Sequence, residues 1–363
     1  MLLLQPMEVT FEKVQEALSF VIEPDLKKDI ITLNLVSNMD YQNGVIRFDL
    51  KISNPAMHNK KRMEEACEHH LKRVFGSEIK VEANVSAMPK AHERAPEHRT
   101  MLPNVKHIIA IASGKGGVGK STVSANFAAG LAKRGYKVGL VDADIYGPSV
   151  PAMFDVSMEK PSTEVIDGKE YIKPVESYGV KMLSIGFFST PDQAVVWRGP
   201  MATKALTQLF GDAHWGELDF MIIDLPPGTG DVHLTLVQQI PLSGAVVVST
   251  PQEIALVDVR KALGMFSLPS INVPVLGLVE NMAYFTPAEL PDNKYYIFGE
   301  NGAKDLADRM NINYLGEVPL VQSIREAGDA GRPAVLQGET PQAKAFENII
   351  DNTLKKLNIT AEA

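Results

Sequence analysis

Ser113-Gly114-Lys115-Gly116-Gly117-Val118-Gly119-Lys120-Ser121-Thr122 is the stretch whose reading decides the fold. An apolar, β-branched run over 108–112 precedes it, and a helical pattern over 120–134 follows. Strand, glycine loop and helix in that order turn a Gly-x-x-x-x-Gly-Lys-Ser match into a phosphate-binding loop. The glycines let successive backbone N–H groups converge on phosphate oxygens, and the helix N-terminus adds its partial positive charge there. Gly114, Gly116, Gly117, Val118, Gly119 and Thr122 are thus expected to cradle phosphate through their backbones. Lys120 is expected to reach the β- and γ-phosphates, and the Ser121 hydroxyl to hold Mg²⁺.

Gly114, Gly116 and Gly119 also satisfy Gly-x-Gly-x-x-Gly, and Asp142 follows at a dinucleotide-site distance. The pair Lys120-Ser121 separates the two readings, because a triphosphate with Mg²⁺ needs it and a pyrophosphate does not. A later strand ending in an acid favours the triphosphate again. Lys115, directly after the first glycine, has two readings. It is either a solvated lysine on the loop rim or a cation that reaches phosphates held by a second copy of the chain.

The 363 residues are too many for one average domain and comfortable for two. A net charge of −8 argues against a nucleic-acid-binding surface. Apolar runs stay well short of membrane-spanning length, and the Leu-rich start has neither the basic residues nor the cleavage signal of a secretory leader. One cysteine, Cys67, excludes an internal disulfide framework and fits a reducing, cytoplasmic setting.

Residues 1–88 read as a small α+β domain of order α-β-β-α-β. Helices are expected over 10–22 and 58–75, and strands over 30–36, 44–52 and 78–85, with Asp40-Tyr41-Gln42-Asn43-Gly44 as a turn. Met63, Cys67, His70, Leu71 and Val74 fall on one helical stripe, so Cys67 reads as a small core hydrophobe rather than as half of a metal site with His70. Residues 89–104, polar and Pro-containing, read as a linker.

From 105 to 363 strands and helices alternate, the pattern of a mostly parallel, doubly wound α/β sheet. Strands are expected over 107–113, 137–142, 180–185, 218–224, 244–249, 274–280 and 313–317. Helices are expected over 120–134, 200–212, 231–240, 253–267, 301–310, 320–329 and 340–357. Nucleotide sites in such sheets sit at the carboxyl ends of the strands, and every remaining motif falls there. One strand ends Asp142-Ala143-Asp144; Asp144 is the candidate to orient or deprotonate an attacking water, and Asp142 to support the Mg²⁺ shell. Another ends Asp224-Leu225-Pro226-Pro227-Gly228-Thr229-Gly230-Asp231, with Asp224 as the second Mg²⁺-associated acid and glycines that let the loop approach a γ-phosphate. Asn281 can donate to and accept from adenine edges, and Gly316-Glu317-Val318-Pro319 can lay backbone against the ring. The last helix carries Phe346, Ile349, Ile350, Leu354 and Leu357 on one side, read as packing against the sheet rather than against a membrane.

These motifs, with Trp197-Arg198-Gly199-Pro200 and Glu280-Asn281-Met282-Ala283-Tyr284-Phe285, resemble the Mrp/ApbC family of iron–sulfur cluster carrier ATPases, within the deviant P-loop group that also holds MinD and ParA. The likeness covers about 104–360, and residues 8–88 look like the small iron–sulfur assembly domain that many members carry in front. The resemblance implies a P-loop NTPase fold, slow ATP hydrolysis with Mg²⁺, and a homodimer in which Lys115 contacts the partner's nucleotide. It also implies a [4Fe–4S] cluster bridged by a Cys-x-x-Cys from each subunit and passed to apo iron–sulfur proteins. Here the chain departs: where the cysteine pair is expected it reads Thr286-Pro287-Ala288-Glu289-Leu290-Pro291-Asp292, and residues 104–363 hold no cysteine. In the small domain, Pro55-Ala56 is followed by Met57-His58 rather than by a cysteine. Clusters take thiolates, and carboxylate oxygens match them poorly. The expectation is therefore an ATP-driven partner in cluster delivery, with a ParA/MinD-like dimerisation switch that never meets iron as the alternative.

Overall fold

The computed structural model describes residues 9–24, 27–33, 35–42, 44–53, 57–87, 101–188, 199–287, 289–290 and 292–359. Pro55-Ala56, most of the expected linker and Trp197-Arg198 lie outside the described residues. The chain divides into two compact units, Met1–Arg94 and Ala95–Ala363.

In the first unit, helix α1 (Phe11–Leu18) is capped by the Thr10 hydroxyl and leads to two short paired strands, β1 (Ile22–Glu23) and β2 (Lys28–Asp29). Strands β3 (Val36–Gln42), β4 (Val45–Ile52) and β5 (Lys80–Ala87) form a sheet in that order. The hairpin β3–β4 is antiparallel, and β4 pairs parallel with β5 through the crossover helix α2 (Met57–Phe75). Strand β4 alternates buried Ile46, Phe48, Leu50 and Ile52 with outward Arg47 and Lys51, so one sheet face is apolar. Cys67 and Met63 of α2 are buried in that core, which agrees with the packing reading of the thiol.

Of the strand expected over 30–36, residues 30–33 form a turn instead, and β3 begins only at Val36. The Asp29 carboxylate accepts the N–H groups of Ile31 (3.1 Å) and Thr32 (2.7 Å), which bends the chain just where the apolar run suggested extension. Ile30 and Leu35 are buried as anchors on either side of that bend, not as members of an alternating strand.

The second unit is an eight-stranded sheet. In chain order its strands are β6 (Val105–Ser113), β7 (Val138–Asp142), β10 (Val175–Ser177), β11 (Val180–Ser184), β12 (Leu218–Asp224), β13 (Gly244–Ser249), β14 (Val275–Asn281) and β15 (Tyr314–Val318). Across the sheet they run β10-β11-β7-β12-β6-β13-β14-β15, all parallel except the edge strand β10. A hairpin outside this sheet, β8 (Ser162–Ile166) with β9 (Lys169–Lys173), was not foreseen. The helices are α3 (Lys120–Lys133), α4 (Val150–Met153), α5 (Gly199–Gly211), α6 (Asp231–Gln239), α7 (Glu253–Phe266), α8 (Gly302–Met310), α9 (Gln322–Asp329) and α10 (Pro341–Lys356).

Strand β6 shows why the sheet is doubly wound. Ile108, Ala110 and Ala112 belong to the core under α5, α6, α7 and α8, while Ile109 and Ile111 belong to the core under α3 and α10. Because both faces are covered, the central strands read as continuous apolar runs. The chain leaves β6 for β7 on one side and later returns to β13 on the other, so the sheet reverses direction at β6. The phosphate loop hangs from that switch point.

Helix α10 lays Phe346, Ile349, Ile350 and Leu354 into the sheet core, as the packing reading expected. Among the described residues no helix is long and apolar enough to cross a membrane. Phe346→Ala should destabilise the second unit by about 3–5 kcal/mol, the usual effect of emptying a buried aromatic site. Urea unfolding followed by tryptophan fluorescence measures it; a shift below about 1 kcal/mol would show that α10 is not part of the core.

Candidate functional site

Strand β6 ends at Ser113 and α3 begins at Lys120, so the glycine loop spans the gap between a sheet end and a helix start. Gly117 (φ +80°) and Gly119 (φ +81°) are left-handed, a conformation that side chains resist. At Gly114 the constraint is space: a Cβ there would overlap the α7 backbone at Asp258 and Val259. The Ser113 hydroxyl donates to the Lys115 carbonyl (2.9 Å) and folds the loop back on itself. Among the described residues no side chain caps α3, so its first N–H groups are not taken up by a capping side chain. Gly116 and Gly117 are exposed, Lys115 is half-buried on the rim, and Val118 turns into the core.

Behind the loop lies a buried knot of charge. Lys120 Nζ stands 2.8 Å from Asp224 Oδ1 and 3.5 Å from Asp144 Oδ2. The Ser121 hydroxyl donates to Asp224 Oδ2 (2.6 Å). Strand register makes this possible, because Asp224 of β12 pairs with Asp142 of β7 on one side and Ile111 of β6 on the other. A residue missed from sequence completes the knot: the buried Ser124 hydroxyl donates to Asp224 Oδ1 (2.6 Å). Its spacing was a usable signal, since i and i+3 on one helix put Ser121 and Ser124 on the same face.

Asp142 is fully buried, and its oxygens accept the N–H groups of Asp144 and Val150 (3.2 Å each) and the Ser184 hydroxyl (3.0 Å). It thereby braces the loop that carries Asp144. Burial, reinforced by the nearby Asp224 charge, raises its carboxyl to about 7, with Lys120 opposing. Asp144 is also raised, by burial first, with Lys120 again opposing. Ser184 pairs with Asp142 across strands, a contact no linear pattern announces.

Beside the start of α3 opens a cleft of about 520 Å³, lined among others by Thr122, Ser149, Asn281, Met282, Pro319 and Arg325. Its apolar walls and few polar groups suit a flat heteroaromatic ring. Both stretches expected to meet a base, Asn281 and the end of β15, border it. Asn281 has a second task, since its Nδ2 donates to the Val118 carbonyl (2.8 Å) and ties β14 to the phosphate loop.

The segment after β14, where the resemblance expects a cysteine pair, is held by other means. Phe285 and Tyr295 exchange both backbone hydrogen bonds (2.8 Å each). Lys294 sits 3.7 Å over the Tyr284 ring and 3.2 Å from Glu317. Among the described residues no three His, Cys, Asp or Glu side chains converge as a metal cage. Cys67 is in the other unit, fully buried, its thiol pushed up to about 12 by burial. These donors do not fit an iron–sulfur cluster. The oxygen set of Ser121 and Asp224 does fit Mg²⁺, which takes one or two protein oxygens and completes its shell with phosphates and water.

A glycine loop at the switch point of a doubly wound sheet, with a lysine, a serine and a strand-end aspartate converging behind it, defines a P-loop NTPase. The family described as "NUBPL iron-transfer P-loop NTPase" matches residues 104–354, and the one described as "Iron-sulfur cluster assembly protein" matches 12–85. The chain is 42% identical over 354 residues to an iron-sulfur cluster carrier protein of Synechocystis sp., covering 97% of this chain and 99% of that one. It is 45% identical over 270 residues to the iron-sulfur cluster transfer protein NUBPL of Dictyostelium discoideum, covering 74% and 82%. A nucleotide-binding protein of Archaeoglobus fulgidus solved with ADP aligns at TM-score 0.58 and 39% identity, over 68% of this chain and 93% of that one. The chain belongs to the NUBPL iron-transfer P-loop NTPase family.

A carboxyl raised in the fold from 3.8 to about 7 stabilises the protein while it holds its proton. That contribution is whole below about pH 4, falls as pH rises towards 7 and is flat above. In nucleotide-free protein, the melting temperature of wild type minus that of Asp142→Asn should therefore decrease between pH 4 and 7 and then level. A difference independent of pH would show that Asp142 ionises normally.

Proposed function

We propose that this chain binds and hydrolyses Mg-ATP as a homodimer and uses the cycle to assist iron–sulfur protein maturation, without itself ligating the cluster. The observation that carries the ATPase reading is the buried contact of Lys120 with Asp224 beside Ser121. Phosphate arriving in the glycine loop offers the Lys120 ammonium stronger partners than Asp224. Backbone N–H groups from Gly114 to Thr122 would then surround the phosphate oxygens, and the ring cleft beside Thr122 and Asn281 would take the adenine.

Ser121 and Asp224 would hold Mg²⁺, whose charge would offset that of the β- and γ-phosphate oxygens. Ser124 fixes the Asp224 carboxylate, and Asp142 fixes the loop of Asp144. Asp144, with its proton affinity raised by burial, would orient the water that attacks the γ-phosphorus as the bond to the β–γ bridging oxygen breaks and ADP leaves. Lys115, half-buried on the rim, would reach the nucleotide of the second copy.

The iron–sulfur part rests on family membership and on the names of the relatives, which are carrier and transfer proteins. The donor set argues for a delivery partner whose cluster is held by thiols of another protein. Anaerobic reconstitution with iron and sulfide should leave both wild type and Cys67→Ala without a stable cluster while ATPase activity persists. A stable cluster lost in Cys67→Ala would make Cys67 a ligand and overturn the partner reading.

Lys120→Ala should lower kcat/KM for ATP by at least about 10²–10³-fold, as removal of a charge-stabilising donor does. Ser124→Ala should lower it by about tenfold, the worth of one buried hydrogen bond to a charged group. Steady-state phosphate release measures both; an unchanged Lys120→Ala would remove the ATPase assignment.

A further inference from the structure

Beyond the loop of Asp224 the chain enters α6 at Asp231, and its third residue, His233, points inward. The imidazole is 1% exposed, and neither ring nitrogen finds a hydrogen-bond partner among the described residues. A buried, unpaired ring of this kind is unfavourable, so the fold holds it in a position that a small movement would improve. Two acceptors lie close by: the carbonyls of Pro226 and Gly228 favour its protonated form, though neither ring nitrogen meets a partner in full hydrogen-bond geometry. Burial outweighs them and, with the Lys120 charge nearby, lowers the ring to about 4. His233 is thus neutral at physiological pH, with one N–H to give. Phe266 of α7 packs its ring edge-on at 6.0 Å and fixes the imidazole from the other side.

Pro226 and Gly228 are no ordinary neighbours, because they belong to the loop between Asp224 and α6. Gly228, left-handed at φ +81°, donates its N–H to the Ser113 carbonyl (3.0 Å), at the point where the phosphate loop begins. The loop is therefore joined to the phosphate loop by one bond and faces an unused donor on its inner side. A shift that turned loop N–H groups towards a γ-phosphate would move these carbonyls relative to a ring that α6 and Phe266 hold still.

We propose that His233 is a positioning residue for ATP hydrolysis: its N–H closes onto the Pro226 or Gly228 carbonyl when triphosphate is bound and holds the loop in its reactive position. The inference rests on the ATPase reading above and names the group that senses the third phosphate. His233 touches no substrate and acts through the loop backbone.

Two measurements on the full chain test it. In ¹⁵N-imidazole NMR of wild type, the His233 resonance, assigned by its loss in His233→Leu or His233→Gln, should shift on adding a non-hydrolysable ATP analogue with Mg²⁺ and not on adding ADP. In kinetics, His233→Leu should lower kcat about tenfold, the worth of one hydrogen bond, with KM and ADP affinity within about twofold. Gln or Asn, which keep an N–H donor, should recover most of the loss. A His233 resonance indifferent to the triphosphate overturns the proposal whatever the variants do, including a leucine variant that fails to fold. So does a leucine variant with wild-type kcat, or a loss that neither amide recovers. Wild type that neither binds nor hydrolyses ATP would instead refute the ATPase reading, a result distinct from all of these.

Discussion

The Lys120 ammonium, buried among acids, is the contact on which the second unit's chemistry depends. One cation faces Asp224 at 2.8 Å and Asp144 at 3.5 Å, with Asp142 behind them. Each charge alone would be expensive to bury, and the group holds together because hydroxyls and backbone N–H groups satisfy the remaining carboxylate oxygens. Burial first, with the Asp224 charge added, makes Asp142 and Asp144 both keep their protons more tightly than usual, and acid still outnumbers base there. A pocket short of positive charge is one that accepts a divalent cation readily. Strand order is what assembles it, since β7, β12 and β6 are neighbours in the sheet although 142 and 224 are far apart in the chain.

Much of this was legible because the signals were local. The doubly wound sheet and the identity of the glycine loop follow from hydrophobic runs and from a motif in its strand-to-helix setting, and the helix and strand bounds agree to within a few residues. Where a side chain overrode the pattern, the reading failed: Asp29 captures two backbone N–H groups and makes 30–33 a turn rather than a strand. The hairpin β8–β9 escaped because its residues alternate weakly and are mostly exposed, with Ile172 reaching the core. Within the site, Lys120, Ser121 and Asp224 converge as their spacing suggested. Asp142 was legible as an acid but not as a brace, because its partners Ser184 and Val150 come from a neighbouring strand and from the start of α4. Contacts across strands are set by register, and register is a property of the folded sheet.

Family membership and donor chemistry pull in different directions, and both are informative. Membership extends over nearly the whole length of close relatives called cluster carriers. Yet the segment after β14 is pinned by a backbone bridge, an ammonium over a tyrosine ring and an ion pair, with no cysteine in its sequence. Such a segment holds its shape without metal, so whatever it meets it meets as a preformed surface. The nucleotide site is built from strand ends and the start of α3, separate from this segment.

Strand β6 is covered on both faces and flanked by β12 and β13, so its backbone exchanges with solvent only when the whole unit opens. The phosphate loop grows directly from its end. Its root is therefore held for as long as the domain stays folded, while its tip at Gly116 and Gly117 lies open to solvent. A hydrogen-exchange experiment would find the strand among the last places to yield and the exposed tip among the first.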